Sequence, residues 1–212
     1  MRHKPHWKSS ADDCCISNSH GAVVRLFIAI EIPQEIREEI AWVIAQLRRT
    51  GADVRWEETS KLHITLKFLG NVEEQRLARI AGALEEIARS RVPFDVQYAG
   101  IGRFPPKGDP RVVWIGVRDS ASALQLLARA TEESMVALGF EHEDRPFHPH
   151  VTIGRVKGPS QMRSLLRTME SLTFESQPTR VTHIALVKSE LKPSGSVYTV
   201  LQAFEFTVPH TK

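Results

Sequence analysis

The sequence predicts an α+β protein with a bilobal fold, in which two antiparallel sheets form a central cleft and the helices lie on the outside. Strand-like and helix-like segments are mixed along the chain, but they lack the regular alternation of a parallel sheet. A His-x-Thr motif inside an apolar segment occurs twice, at His63 and at His150, which indicates two similar lobes. The last two strand-like segments are joined by Lys-Pro-Ser-Gly at residues 192–195, a turn sequence typical of an antiparallel hairpin.

Length and composition are those of an ordinary globular protein. Of the 212 residues, 42% are hydrophobic and 25% are charged, which allows a sizeable core. No segment approaches the roughly 20 consecutive apolar residues of a membrane span, so we expect no membrane association. The net charge of +3 is a mild basic bias, and it is compatible with a polyanionic ligand.

Residues 1–22 are polar and lack hydrophobic periodicity, so we expect a disordered tail there and a single bilobal domain over residues 23–209. The tail has no apolar run of the kind that a secretory signal needs. Its adjacent cysteines, Cys14 and Cys15, form no Cys-x-x-Cys zinc motif. We therefore expect a reducing, cytoplasmic setting, and we expect a monomer. A metal-binding tract of His3, His6, Cys14 and Cys15 is the alternative for the tail.

Four segments show the three- to four-residue apolar period of amphipathic helices. In the first of them, apolar residues from Ile36 to Leu47 form one stripe, and Gly51 follows as a stop signal. The predicted helices are residues 34–49, 72–90, 120–138 and 160–170.

Short apolar segments bounded by turn residues predict the strands. Pro33 ends the first strand, since proline cannot donate a hydrogen bond to a ladder. A loop rich in proline and glycine covers residues 104–110, and a polar loop covers residues 141–149. The predicted strands are residues 25–32, 54–56, 62–70, 94–101, 111–117, 150–156, 172–174, 181–191 and 197–206.

The two His-x-Thr motifs place polar groups on one face of each strand. Side chains alternate between the two faces of a strand, so His63 and Thr65 share a face and their apolar neighbours take the other. His150 and Thr152 do the same in the second strand. An imidazole pKa near 6.5 lets one histidine act as a neutral base while the other acts as a charged acid. Threonine hydroxyls can donate hydrogen bonds to a phosphate held between them.

Two basic residues follow the motifs and could neutralise that phosphate. Lys67 lies on the same face as His63 if the strand stays regular. Arg155 is five positions after His150, so regular alternation would place the two on opposite faces. However, Arg155 lies where the strand can end and turn. From there its guanidinium could bind a phosphate through two hydrogen bonds.

These segments resemble the two-histidine phosphoesterase superfamily, and within it the RNA 2′,3′-cyclic phosphodiesterases that are also called 2′-5′ RNA ligases. The resemblance rests on residues 25–30, on Trp56 with residues 62–70, on residues 145–155 and on the hairpin segments within 186–198. It spans residues 25–208, so only the N-terminal tail lies outside it.

The resemblance implies a bilobal fold with a central cleft and a reaction without metal or other cofactor. The reaction is hydrolysis of a terminal 2′,3′-cyclic phosphate of RNA to a 2′-phosphate, and some members also join or cleave 2′-5′ linkages in tRNA halves. It assigns catalysis to His63 and His150. The implied substrate contacts are Thr65, Thr152, Arg155 and Phe68. The role of His148 is left open.

Two other functions stay open at this point. His142, His148 and His150 lie near the carboxylates of residues 141–144 and could form a metallohydrolase site. However, Pro149 disfavours a regular strand through this region, and no His-Glu-x-x-His motif is present. A non-catalytic RNA-binding module would keep the cleft without turnover, although two intact His-x-Thr motifs argue against lost catalysis. Whether the protein is a cyclic phosphodiesterase or a non-catalytic RNA-binding module, Trp56 or Phe68 could stack on a base. Packing of these side chains in the core is the ordinary alternative.

Overall fold

The structure is a computed structural model that describes residues 22–119, 121–193 and 195–207. The predicted disordered tail lies outside these ranges apart from Ala22, so its disorder and its metal-binding alternative stay untested. Within the described ranges, no helix is long and apolar enough to cross a membrane.

The described chain contains four α-helices, two short 3₁₀-helices and nine strands. The helices are α1 (Gln34–Arg48), α2 (Leu77–Arg89), α3 (Ala123–Ala137) and α4 (Met162–Ser171). The strands are β1 (Val23–Glu31), β2 (Val54–Trp56), β3 (His63–Glu73), β4 (Phe94–Phe104), β5 (Val112–Arg118), β6 (His150–Val156), β7 (Thr179–Val181), β8 (His183–Lys192) and β9 (Gly195–Glu205).

The strands pair antiparallel in the order β7-β4-β5-β6-β3-β1-β8-β9, and β2 pairs with β6. Between β6 and β3 the ladder consists of one residue pair, Ile64 with Val151. This narrow join divides the strands into a β6 half (β7, β4, β5, β6 and β2) and a β3 half (β3, β1, β8 and β9). The α+β fold with two antiparallel sheet halves is confirmed.

The helices cover one side of the sheet. In the β3 half, α2 packs against β8 and β9, and α3 packs against β3. In the other half, α1 packs against α4, and α4 packs against β4. The apolar stripes of the helices meet in one core, where Ile40, Leu84, Leu127 and Leu165 are fully buried. Full burial of such a side chain contributes about 1.5–3 kcal/mol.

The opposite side of the sheet forms the wall of the cleft. Residues of β1 alternate, so that Leu26 and Ile28 face the helices while Phe27 and Ala29 face the cleft. The apolar residues on the cleft side form only a small cluster, in which Phe27 and Ala29 pack with Ala185, Val187 and Tyr198. This side is therefore the one on which polar side chains can gather.

The two histidine strands carry the same irregularity, a β-bulge after the threonine. In β3 the pairing with β1 shifts after Thr65, which leaves Leu66 as an extra residue. In β6 the pairing with β5 shifts after Thr152, which leaves Ile153 as an extra residue. A bulge interrupts the alternation of side chains. The residue three positions after each threonine therefore returns to the face of the histidine.

Several predicted boundaries differ from the structure. Strand β3 continues past Gly70, which adopts a φ of +69° inside the strand rather than ending it. As a result, α2 begins at Leu77 rather than at residue 72. Residues 172–174 form no strand. The strand predicted over 181–191 is divided at Thr182, since β7 pairs with β4 in one half while β8 pairs with β1 in the other.

Candidate active site

The polar residues of both motifs lie at the join between the two halves. One residue pair connects β3 to β6, and the antiparallel register continues outwards from that pair. His63 therefore stands opposite Thr152, and Thr65 stands opposite His150. All four side chains are half-buried, while their neighbours in the strands are buried. The structure thus brings the two predicted motifs together, with each histidine beside the threonine of the other motif.

Phe68 and Arg155 reach the same face through the two bulges. Phe68 is 63% exposed, and Nε of Arg155 lies 3.5 Å from Oε1 of Glu57. Desolvation is the largest cause of the lowered pKa of His63 and of His150, and the charge of Arg155 lowers both pKa values further. Both residues thus occupy positions predicted for substrate contacts. Arg155 reaches the cleft because of a bulge within β6, and not because the strand ends there.

Lys67 lies on the core side, so the prediction that it shares the face of the histidine is wrong. The bulge after Thr65 turns it away from the cleft, and it is only 6% exposed. Its Nζ donates to Oε2 of Glu132 at 2.7 Å and to the carbonyl oxygen of Glu141 at 2.8 Å. The other carboxylate oxygen of Glu132 accepts from the backbone nitrogen of Glu143 at 2.9 Å. Lys67 therefore ties β3 to α3 and to the loop that leads into β6.

We expect Lys67→Ala to lower the free energy of unfolding by about 3 kcal/mol, since it leaves the partly buried Glu132 carboxylate without its cation. Urea unfolding measures this change. Arg89→Ala is the control, since its ion pair with Glu85 is exposed and should contribute less than about 1 kcal/mol. Unchanged stability together with a loss of activity as large as that of Arg155→Ala would instead give Lys67 a role in the cleft.

Both imidazoles are held in the same way. Nδ1 of His63 lies 2.7 Å from the carbonyl oxygen of Lys61, and Nδ1 of His150 lies 2.6 Å from that of His148. A carbonyl oxygen can only accept a hydrogen bond, so Nδ1 is the donor in each ring. Nε2 is then the atom of each imidazole that can take up or release a proton. His148, whose role the sequence left open, thus orients His150 through its backbone.

Burial lowers the pKa of both histidines below its ordinary value of 6.5. For His63, desolvation is the largest cause, the hydrogen bond to Lys61 opposes it, and the charges of Arg155 and His150 lower the pKa further. For His150, desolvation is again the largest cause, the hydrogen bond to the His148 carbonyl opposes it, and the charges of His148 and Arg155 lower the pKa further. Because each positive charge disfavours the next, a state with one charged and one neutral imidazole is favoured over two charged rings.

Aromatic rings enclose His63 on the side of the β3 half. Its ring centroid lies 4.8 Å from that of Phe27 and 5.4 Å from that of Tyr198. Phe27 also lies 6.0 Å from Phe68, centroid to centroid. These contacts account for the desolvation of His63. Phe68 lies at the open end of the group, where its ring is exposed.

A second aromatic group encloses His150. Its ring centroid lies 5.1 Å from that of Phe104 and 6.2 Å from that of Trp114, and Trp114 lies 4.9 Å from the ring of His148. A Cβ atom at Gly102 would lie 2.1 Å from the Trp114 ring, so only glycine lets this ring lie against β4. Sequence reasoning did not assign Phe104 or Trp114 to the site, since nothing in their spacing relates them to the motifs.

Of the two candidates for base stacking, only Phe68 lies on the cleft side. Trp56 packs against the core. A Cβ atom at Gly154 would lie 2.8 Å from the Trp56 ring, which shows how closely this ring approaches β6 from the core side. Trp56 therefore follows the ordinary alternative of core packing.

The side chains of the metallohydrolase alternative do not converge. Nδ1 of His142 lies 3.5 Å from Oδ1 of Asp144 at an exposed site, whereas the ring of His148 packs against Trp114. Among residues 22–119, 121–193 and 195–207, no three histidine, cysteine, aspartate or glutamate side chains are grouped as a metal site requires. The geometry therefore favours the two-histidine arrangement.

Sequence comparisons place the chain among known proteins. A profile of the 2′-5′ RNA ligase superfamily matches residues 32–193. The RNA 2′,3′-cyclic phosphodiesterase of Methanothermobacter thermautotrophicus is 35% identical over 182 residues, which cover 85% of this chain and 98% of that protein. The RNA 2′,3′-cyclic phosphodiesterase of Archaeoglobus fulgidus is 38% identical over 183 residues, which cover 86% of this chain and 100% of that protein.

Solved structures agree with these relatives. A Thermus thermophilus protein of known crystal structure superposes with a TM-score of 0.74 at 30% identity, covering 88% of this chain and 100% of its own. Escherichia coli LigT complexed with 3′-AMP superposes with a TM-score of 0.71 at 26% identity, covering 88% of this chain and 99% of its own. The likeness therefore includes both sheet halves and the join between them.

Proposed function

Because the chain belongs to the 2′-5′ RNA ligase superfamily, we propose that it is an RNA 2′,3′-cyclic phosphodiesterase that hydrolyses a terminal cyclic phosphate to a 2′-phosphate. The observation that carries the proposal is the register at the join, which sets each histidine beside the threonine of the other motif. Two proton-transferring atoms and two hydroxyl groups then surround one tetrahedral centre. That arrangement suits phosphoryl transfer, which depends mainly on positioning and on neutralising charge.

In the proposed reaction, Nε2 of neutral His150 takes a proton from water while the water oxygen forms a bond to phosphorus. The bond from phosphorus to O3′ breaks, and O3′ takes the proton from Nε2 of His63. The phosphate stays on O2′. The two imidazoles have exchanged charge states, and proton exchange with solvent restores them. The family resemblance supports His150 as the base, since the two motifs alone would permit the reverse assignment.

The remaining side chains of the cleft stabilise the charge that builds up on the phosphate. Thr65 and Thr152 can each donate a hydrogen bond to a non-bridging oxygen. Arg155 can donate two hydrogen bonds and also neutralise charge, which a single hydroxyl cannot do. Glu57 forms an ion pair with Arg155, with Oε1 3.5 Å from Nε, which restrains that side chain. Phe68 would pack against the terminal base.

An oligoribonucleotide that ends in a 2′,3′-cyclic phosphate tests the proposal. We expect its conversion to a 2′-phosphate product, identified by phosphorus NMR, at the same rate with and without a metal chelator. Activity that disappears with chelator and returns with a divalent metal would contradict the two-histidine reaction. Tight binding without any turnover would favour the RNA-binding module.

We expect the rate to depend on pH with a maximum of kcat/KM below pH 6.5. The reactive state needs His63 charged and His150 neutral, so its population is largest between the two pKa values. Burial lowers both values in the free protein. A bound phosphate anion favours a charged imidazole, so the maximum of kcat should lie at higher pH than that of kcat/KM. A kcat/KM that keeps rising above pH 7.5 would contradict this assignment.

The family also suggests a second reaction at the same site. A 5′ hydroxyl of another RNA could replace water as the attacking group and leave a 2′-5′ linkage, with tRNA fragments as substrates. Adding an oligonucleotide with a free 5′ hydroxyl tests this, and ligated product is the expected result.

Light scattering in solution would test the predicted monomer, and cell fractionation would test the predicted cytoplasmic location.

A further inference from the structure

Arg55 occupies a position on the cleft side that neither motif includes. Strand β2 pairs with the second part of β6, and Arg55 stands directly opposite Arg155 in that ladder. Residues paired in register share a face. Both arginines are exposed, while Val54 and Trp56, which flank Arg55, pack against the core. Arg55 therefore extends the basic surface of Arg155 by one strand.

Two guanidinium groups opposite each other on neighbouring strands repel, which is unfavourable without an anion between or above them. The acidic group that pairs with either of them in the described chain is Glu57, which lies 3.5 Å from Nε of Arg155. One carboxylate does not balance two guanidinium groups. The surface formed by Arg55, Arg155 and Glu57 keeps a net positive charge and suits a polyanionic ligand.

Arg55 lies one strand away from Arg155, which follows His150 and Thr152 in β6. Neighbouring strands are about 4.8 Å apart. Strand β3 pairs with β6 at Val151 only, and beyond that pair β2 takes its place along the same edge of β6. Arg55 is therefore placed beside the reaction centre and along the gap between the two halves.

We propose that Arg55 binds the phosphodiester on the 5′ side of the terminal nucleotide, while Arg155 binds the cyclic phosphate itself. The inference rests on the proposed function and adds a second phosphate site to it. Arg55 is then a substrate-binding residue for RNA chains. It has no part in binding a mononucleotide, which lacks the second phosphate.

Two substrates separate the roles: a nucleoside 2′,3′-cyclic phosphate, and a trinucleotide that ends in the same group. For Arg55→Ala we expect kcat/KM on the trinucleotide to fall about 10-fold, mainly through KM, as for loss of a hydrogen bond to a charged group. The mononucleotide should be hydrolysed as by the unchanged protein. Arg55→Lys should retain part of the trinucleotide activity, since lysine keeps the charge but not the paired donors. Arg163→Ala, on the exposed side of α4, is the matched control.

Salt dependence gives an independent readout. A plot of log KM against log salt concentration for the trinucleotide should lose about 0.7 in slope in Arg55→Ala, the share of one phosphate contact on a single strand. Equal losses on both substrates would overturn the inference, and so would an unchanged trinucleotide KM. If the unchanged protein hydrolyses neither substrate, the proposed function fails instead.

Discussion

Replacing either His63 or His150 with alanine is expected to slow hydrolysis of a 2′,3′-cyclic phosphate by about 10²–10⁴-fold, the usual contribution of a general acid or base. Each imidazole presents one free nitrogen to the cleft, because the other is held by a carbonyl oxygen. The loss should therefore appear in the chemical step, whose rate constant single-turnover kinetics with excess protein measures directly.

His183→Ala is the control for this prediction. His183 is also a histidine at the start of a strand, but Nε2 lies 3.3 Å from Oε2 of Glu31 and the residue belongs to neither motif. We expect it to retain nearly full activity. The double variant His63→Ala/His150→Ala should lose hardly more than either single variant, since residues that act as a unit are not additive. Losses that simply multiply would mean that the two histidines work independently.

Replacing Arg155 with alanine is expected to give the second-largest effect, a fall in kcat/KM of about 10²–10³-fold, as for removal of one group that stabilises developing charge. Arg155→Lys should recover only part of it, because a lysine ammonium cannot make the paired hydrogen bonds of a guanidinium. Steady-state kinetics on a cyclic-phosphate substrate measures both variants.

The comparison with Lys67 makes the prediction for Arg155 specific. Both are basic residues that closely follow a His-x-Thr motif, yet one contacts Glu132 on the core side and the other faces the cleft. Lys67→Ala should therefore reduce stability more than activity. Arg155→Ala should instead reduce activity more than stability. Equal losses of activity in the two variants would contradict the faces that the structure assigns to them.

These two residues show where prediction from the sequence succeeded and where it failed. Alternation along a strand correctly placed Thr65 and Thr152 on the same face as the histidine of their own motif. Past the threonines, the same rule placed Lys67 in the cleft. It placed Arg155 on the opposite face, so that Arg155 could reach the cleft only if the strand ended and turned there. A β-bulge in each strand reverses the alternation. A bulge depends on pairing with another strand, so alternation within one segment cannot reveal it.

The fold class, the helices and most strands could be predicted because local periodicity determines them. The walls of the site could not. Tyr198 and Phe27 meet His63 from two strands that lie far apart in the sequence, and Phe104 and Trp114 reach His150 from two others. Such contacts follow from the order of strands in the sheet. The same is true of Arg55, whose position opposite Arg155 exists only once β2 pairs with β6.

A substrate with sulfur in place of the 3′ leaving oxygen tests the central claim most directly, since sulfur leaves with little need of a proton. His63→Ala lacks the proposed acid, so this substrate should restore its rate nearly to that of the unchanged protein. His150→Ala lacks the proposed base, and its rate should stay low on both substrates. Rescue of His150→Ala but not of His63→Ala would reverse the assignment, and rescue of neither would contradict acid–base catalysis by this pair.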